Sequence, residues 1–162
     1  MDLACQYRKK KDPGCSEERL EFSGLANTLT PTELELFNHY LEHTSKDPSV
    51  DSHDQYALQI GIPTLACQSN PLMKSVLALA AVCKCSDLIN QTSPSPDESD
   101  RALVVHFLSL GHQYHSEALR EVQATLHDAG NYDRILANAA MMGMLRSAKS
   151  NADCRLKSQL HL

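Results

Sequence analysis

The sequence predicts an all-α fold, an irregular bundle of about five helices, and three observations predict it. Aromatic residues make up only 5% of the chain, with no Trp. A core must therefore be built from Leu, Ala, Val and Met, which suit helix-on-helix packing better than a sandwich of Val, Ile, Tyr and Phe. Apolar residues recur at spacings of three and four along several stretches. Two of those stretches open on a capping residue followed by Pro, a helix-start signal.

Residues 1–29 are charged and irregular, punctuated by Pro13 and Gly14, and read as a basic, poorly ordered leader. Order is expected from Thr30. Thr30 caps, Pro31 takes the first helical position where a missing N–H costs nothing, and Glu33 completes a capping box. Leu34, Phe37 and Leu41 then share one face, flanked by Leu36 and Tyr40, which predicts a helix over 31–44. A polar stretch from Ser45 to Asp54 follows. The segment 56–68 is apolar enough to pack but holds Gly61 and Pro63, so it reads as a short or broken helix. Asn70 and Pro71 form the second cap and first-position pair. After them Leu72, Val76, Leu79, Ala80 and Cys83 keep helical spacing, while Leu77, Ala78 and Ala81 make the other faces apolar as well. A helix apolar all round belongs at the centre, and this one is expected to end near Ile89.

Residues 91–100 have linker composition, and Ser99 or Asp100 can cap the next helix, predicted over 101–128. Ala118, Leu119, Val122 and Leu126 form its stripe, and Gly130 its stop. Asn131 caps a last helix, about 133–144, whose Ile135, Leu136, Ala139, Met142 and Gly143 predict close packing. Beyond it the apolar pattern fades. The expected organisation is a helical domain over 30–146, a flexible linker at 91–100 and an irregular tail at 147–162.

The length of 162 residues fits one domain, and 42% apolar with 22% charged residues is ordinary globular usage. A net charge of −5 argues against a body that neutralises a row of phosphates. One local exception is the run Arg8, Lys9, Lys10 and Lys11, a candidate nuclear-import or phosphate-contact patch whose plain alternative is a solvated tail. The six cysteines are Cys5, Cys15, Cys67, Cys83, Cys85 and Cys154. No secretory signal precedes them and several lie in helical patterns, so they read as thiols in a reducing compartment. The longest apolar run, Val76 to Cys83, falls far short of the roughly 20 residues of a membrane span.

Candidate chemistry is thin. His39, Glu42 and His43 match the His-x-x-Glu-His arrangement of one metalloprotease class, but a catalytic zinc needs a third protein ligand that the sequence does not point to. Cys83 and Cys85 stand about 200° apart around a helix and cannot chelate one ion together. Of His106, His112 and His115, only the last two can share a face. Gly-rich phosphate loops, nucleophile elbows and paired carboxylates of raised pKa are absent. Asn90, Gln91 and Thr92 form a sequon of no consequence inside the cell, and Ser93-Pro94 and Ser95-Pro96 are candidate phosphorylation sites in the linker. No catalytic residue, cofactor or metal is expected, and the chain reads as a non-enzyme.

The segments Glu33-Leu-Glu-Leu-Phe-Asn-His-Tyr40, Ile62-Pro-Thr-Leu65 and Asn70-Pro-Leu-Met-Lys-Ser-Val-Leu-Ala-Leu-Ala-Ala-Val82, followed by Tyr114, His115, Ala118 and Leu119, stand in an informative order. Over roughly 30–145 this series resembles the regulatory region of fungal zinc-cluster transcription factors, particularly the sterol-uptake-control-like group. The resemblance implies an α-helical part of a larger regulatory domain, one that senses a small molecule or contacts other transcription proteins. It also implies an N-terminal six-cysteine zinc cluster, which this chain cannot assemble because the Cys-x-x-Cys pairs are missing. The chain is therefore expected to be a truncated regulatory-region piece without direct DNA reading of its own. Its expected partners are proteins of the transcription machinery, a related regulator or a hydrophobic ligand, and its expected location is the nucleus, with the cytoplasm as the alternative. A second reading is a helical adaptor or inhibitory partner of a full-length relative.

Overall fold

A computed structural model of the chain describes residues 29–46, 52–91, 98–126 and 132–159. Among them every regular element is helical. The Arg8, Lys9, Lys10 and Lys11 patch, Cys5 and Cys15, the Ser-Pro pairs, and Gly130 with Asn131 lie outside the described residues. Helix α1 is Pro31–Glu42, followed by a 3-10 turn at Thr44–Lys46. A broken segment comes next: α2 at Ser52–Tyr56, a π turn at Ala57–Gly61 and α3 at Ile62–Ala66. Three long helices complete the fold, α4 at Asn70–Gln91, α5 at Glu98–Thr125 and α6 at Tyr132–Gln159. With the broken segment counted once, these are five helical elements around one core.

The start of α1 has the anticipated chemistry. Glu33 N–H donates to Thr30 Oγ1 at 3.3 Å, and Thr30 N–H donates to Glu33 Oε2 at 2.8 Å, so two donors that a helix end leaves orphaned are satisfied. The second predicted cap differs. Met73 N–H donates to the Ser69 carbonyl at 2.9 Å, while the Asn70 side chain donates to Glu121 Oε2 on α5 at 2.9 Å. The Asn70 amide nitrogen thereby ties the start of this helix to α5.

Pro63 explains the break between α2 and α3. In the π turn the Ile62 N–H donates to the Ala57 carbonyl, one residue further back than in an α-helix. The Leu58 carbonyl therefore loses its α-helical donor, and its π-type donor would be Pro63, which has no N–H. Tyr40 fills that vacancy: its hydroxyl donates to the Leu58 carbonyl at 2.9 Å from a fully buried ring. Burial pushes the Tyr40 phenol well above its ordinary pKa, with the Cys83 thiol adding to the effect, so it remains a donor at any physiological pH.

Helix α4 is the axis of the fold. Every residue from Ser75 to Val82 is buried, as its all-round apolar pattern predicts, and α1, α5 and α6 all pack on it. α5 presents Val104, Phe107, Gly111, Tyr114 and Ala118, a three-and-four spacing that keeps one seam against α4. At Gly111 the approach is close: a Cβ there would stand 3.0 Å from Val82 Cγ2 and 3.4 Å from the Ala78 carbonyl oxygen. Lys74 clamps the same seam between Glu117 Oε2 at 2.5 Å and Glu121 Oε1 at 3.1 Å. α6 meets α4 through Ala137, Asn138, Met141, Leu145 and Ala152. One polar bond is sealed inside that contact, from Ser75 Oγ to Asn138 Oδ1 at 2.8 Å, and Asn138 Nδ2 donates to the Arg134 carbonyl at 2.8 Å, so the buried amide is satisfied at both ends.

The last helix differs from its sequence reading in length and in face. It continues past Met144 to Gln159, through most of the segment expected to be an irregular tail. The reason is that Ala148 and Ala152 carry on the spacing of Met141 and Leu145, and small side chains make a seam that an apolar count undervalues. Its buried face is also rotated. Leu136 is 72% exposed, and Ala139 and Gly143 face solvent, because the longer seam through Ala137, Met141, Leu145 and Ala152 outweighs the shorter apolar group first picked out. On α5 the same holds for Leu119, which is exposed while Ala118 is buried, and Leu126 just past its end is exposed as well.

Candidate functional site

Two clusters of histidines and charges are present, one on α1 and α4 and the other on α5 and α6. The first lies where α1 crosses α4. His39 and His43 are one turn apart with ring centroids 4.9 Å apart, yet they do not converge on a common point. His39 Nε2 is 3.2 Å from Asp87 Oδ2 on α4, whereas His43 Nε2 lies 4.0 Å from Glu42 Oε2 at the surface. A carboxylate only accepts, so His39 Nε2 carries the hydrogen and Nδ1, buried without a partner, holds a lone pair. Burial pushes the His39 pKa below its ordinary value, and Asp87 offsets this only in part. The ring is thus neutral near pH 7, and the contact is a hydrogen bond rather than an ion pair.

Lys84 completes this shoulder. It forms an ion pair with Glu35 of α1 and stands 4.9 Å from the centre of the Phe107 ring on α5, joining three helices through one side chain. His39, His43, Lys84, Asp87, Leu88 and Gln91 surround a surface depression of about 350 Å³. Asp87 faces His39, Glu42 faces His43 and Glu35 faces Lys84, so the local charges answer one another. Among the described residues, no group of three or more His, Cys, Asp or Glu side chains is placed to hold a metal ion. Cys67, Cys83 and Cys85 are thiols, with Cys85 fully buried in the α4 core. Burial raises the Cys67 thiol pKa, which keeps it protonated and unreactive.

The second cluster lies between α5 and α6, which both lean on α4 and touch each other little. A cleft of about 260 Å³ remains there, lined by His115, Leu119, Met142, Leu145, Arg146 and Lys149. His112 joins its rim, with its Nδ1 3.4 Å from Lys149 Nζ. His106, the third histidine of α5, is exposed beside Phe107 and takes no part. His115 is half-buried and its Nδ1 is shielded from water without a hydrogen-bond partner. Burial first, then the charges of Lys149, His112 and Arg146, push the His115 pKa below its ordinary value. None of the described lining residues is acidic. Sequence reasoning brought His112 and His115 together on one face but missed Arg146, just past the predicted end of the last helix, and Lys149, which fell in the presumed tail. Their spacing of three, continuing the frame of Met142, was the available signal.

Among the described residues no helix is long and apolar enough to cross a membrane. No curated protein and no solved structure matches the chain. Residues 35–162 do match the family model of the fungal specific transcription factor domain, a span that takes in α1, the α4 axis and both flanking helices. The match covers well over half of the sequence and agrees with the helical architecture. The chain belongs to the fungal specific transcription factor domain family, and its role is in transcription regulation.

Proposed function

We propose that this chain acts as the regulatory region of a fungal-type transcription factor, through contacts with proteins or a hydrophobic ligand, and without reading DNA sequence itself. The observation that carries this is the apolar surface left on the helices of a family-matched regulatory domain. Tyr132 is 75% exposed and Leu136 72% exposed, one turn apart on α6. Such a pair at helical spacing is what a partner's groove engages. The net charge of −5 argues against phosphate neutralisation by the body of the domain. Arg8, Lys9, Lys10 and Lys11 are proposed as a nuclear-import patch, and the domain organisation as a leader up to residue 29 followed by the helical unit.

Fused to an unrelated DNA-binding module, the chain is expected to change transcription of a reporter, and Tyr132→Asp with Leu136→Asp to abolish the change. Unaltered reporter output from the wild-type fusion would end the regulatory reading. Replacing Arg8 through Lys11 by Ala should leave the isolated chain outside the nucleus. Retention of slow-migrating complexes with random duplex DNA at 150 mM salt, a condition near physiological ionic strength, would contradict the absence of DNA contact.

A further inference from the structure

The outward face of α6 carries side chains that its contact with α4 does not use. At about 100° per residue, Tyr132, Leu136, Ala139, Ala140, Gly143 and Ser147 fall within about 50° of one direction, and all six are exposed. That direction points away from the seam of Ala137, Met141, Leu145 and Ala152 that packs on α4. Two large apolar side chains stand here in solvent, Tyr132 at 75% and Leu136 at 72% exposure. Gly143 adds a second, separate oddity, because a glycine inside a helix costs stability relative to alanine. At Gly111 the close approach of α4 explains that cost, since a Cβ there would stand 3.0 Å from Val82 Cγ2, whereas a Cβ at Gly143 would meet nothing within 4 Å. A helix approaching from outside the chain would give Gly143 the same reason.

We infer that this face pairs with a second copy of the chain, α6 against α6, antiparallel about a two-fold axis. In such a pair residue i faces j whenever j faces i, so one contact fixes all the others. Shape chooses that contact. Leu136 fits over Gly143 of the partner subunit, where no Cβ holds the helices apart. The axis then passes between Ala139 and Ala140, which meet across it, and Tyr132 lies over the small Ser147. Charge played no part in choosing this register, yet it agrees with it: Asp133 and Arg146 are both exposed, and Asp133 of each copy comes opposite Arg146 of the other. A shift of one turn either way sets Asp133 against Met142 or Ser150 instead. The contact spans about 24 Å of helix, which is a small interface, so the dimer is weak, with a Kd on the order of 100 μM. The inference names the partner of the face that the regulatory reading already uses, and it rests on that reading only for its use in the cell.

The test is sedimentation equilibrium of the purified full chain, kept reduced so that no disulfide-linked pair is counted. Reversible, concentration-dependent dimerisation is expected, and a chain still monomeric at about ten times the expected Kd overturns the inference. Gly143→Ala puts a methyl group under Leu136 at both symmetry-related contacts and should weaken the dimer at least about tenfold. The same change favours the helix within one chain, so that loss cannot come from unfolding. Asp133→Arg and Arg146→Asp should each weaken self-association by about tenfold, because two attractive contacts become two repulsive ones. Mixed in equal amounts, these two variants should recover a dimer of wild-type affinity, since every Arg then faces an Asp. A dimer that Gly143→Ala leaves unchanged, or a mixture no tighter than its components, overturns the pairing. So does a monomeric chain whose reporter output still depends on Tyr132 and Leu136, which would give the face to a different protein. Self-association is read on the purified chain and regulation by the reporter, so the two readings fail separately.

Discussion

The two histidine pairs of this chain began as the same kind of signal and ended as opposites. His39 and His43 sit on the side of the bundle where α1, α4 and α5 close on one another, and there Asp87, Glu42 and Glu35 face the basic groups. His112 and His115 sit where α5 and α6 stand apart, and there Arg146 and Lys149 add to the positive charge. The difference teaches that a histidine pair takes its meaning from what the neighbouring helix brings to it. On the closed side the neighbour brings the Asp87 carboxylate and His39 becomes a cross-helix tie, while His43 stays with Glu42 at the surface. On the open side it brings cations over an apolar floor, and the pair becomes one wall of a cleft.

The sharpest way to break this contrast is to force the closed side open. Gly111→Leu places side-chain atoms where a Cβ alone would already stand 3.0 Å from Val82 Cγ2 and 3.4 Å from the Ala78 carbonyl. Overpacking a seam of this kind costs about 3 kcal/mol, and the backbone carbonyl leaves little room for relief. Gly143 on α6 is the control, since a Cβ there meets nothing within 4 Å. Gly143→Ala is expected to stabilise the chain by about 0.5–1 kcal/mol through helix propensity. Urea denaturation of both variants checks the pair, and equal effects would show that the α4–α5 seam at Gly111 is no tighter than the open face of α6 at Gly143.

Tyr40→Phe comes next in size. It keeps the ring in the core and removes only the hydroxyl that serves the Leu58 carbonyl, leaving a buried acceptor unsatisfied at a cost of about 1–3 kcal/mol. Because Pro63 and the π turn together remove that carbonyl's helical donors, no local rearrangement replaces the bond. A denaturation midpoint equal to that of the wild type would mean that the carbonyl reaches water.

How much of this was legible in the sequence follows from the range of each interaction. The α1 start was readable because Thr30, Pro31 and Glu33 satisfy one another within a single turn. The central position of α4 was readable because no face of it is polar enough for solvent. The break near Gly61 and Pro63 was readable as a break, but not as a π turn closed by Tyr40, whose hydroxyl comes from 18 residues away. Asp87 lies 48 residues from His39 and nothing local connects them. The cleft was the least legible feature. Four of the six residues that line it come from α6, and the end of that helix is held by alanines whose burial depends on the neighbour being there.

The smallest expected effect concerns acid, and it separates the two histidine sites within one experiment. Both His39 and His115 are held below the ordinary value of 6.5, so on acidification the unfolded chain takes up protons before the folded one does. Their contribution to stability is therefore complete above about pH 6.5 and is lost progressively as pH falls below it. Glu117, held low by Lys74, acts in the same direction but only nearer its own range around 4.5, which leaves the interval from pH 7.5 to 5.5 to the histidines. His39→Gln should make the fall in denaturation midpoint across that interval shallower, since Gln keeps a polar group near Asp87 but cannot titrate. His115→Gln should also make it shallower, by removing the second histidine held low, and should do so equally well in the His39→Gln background. Additive effects place the two histidines in independent environments, as the geometry requires. If His115→Gln had no effect once His39 was replaced, the acid response would belong to the closed side alone, and the contrast between the two pairs would collapse.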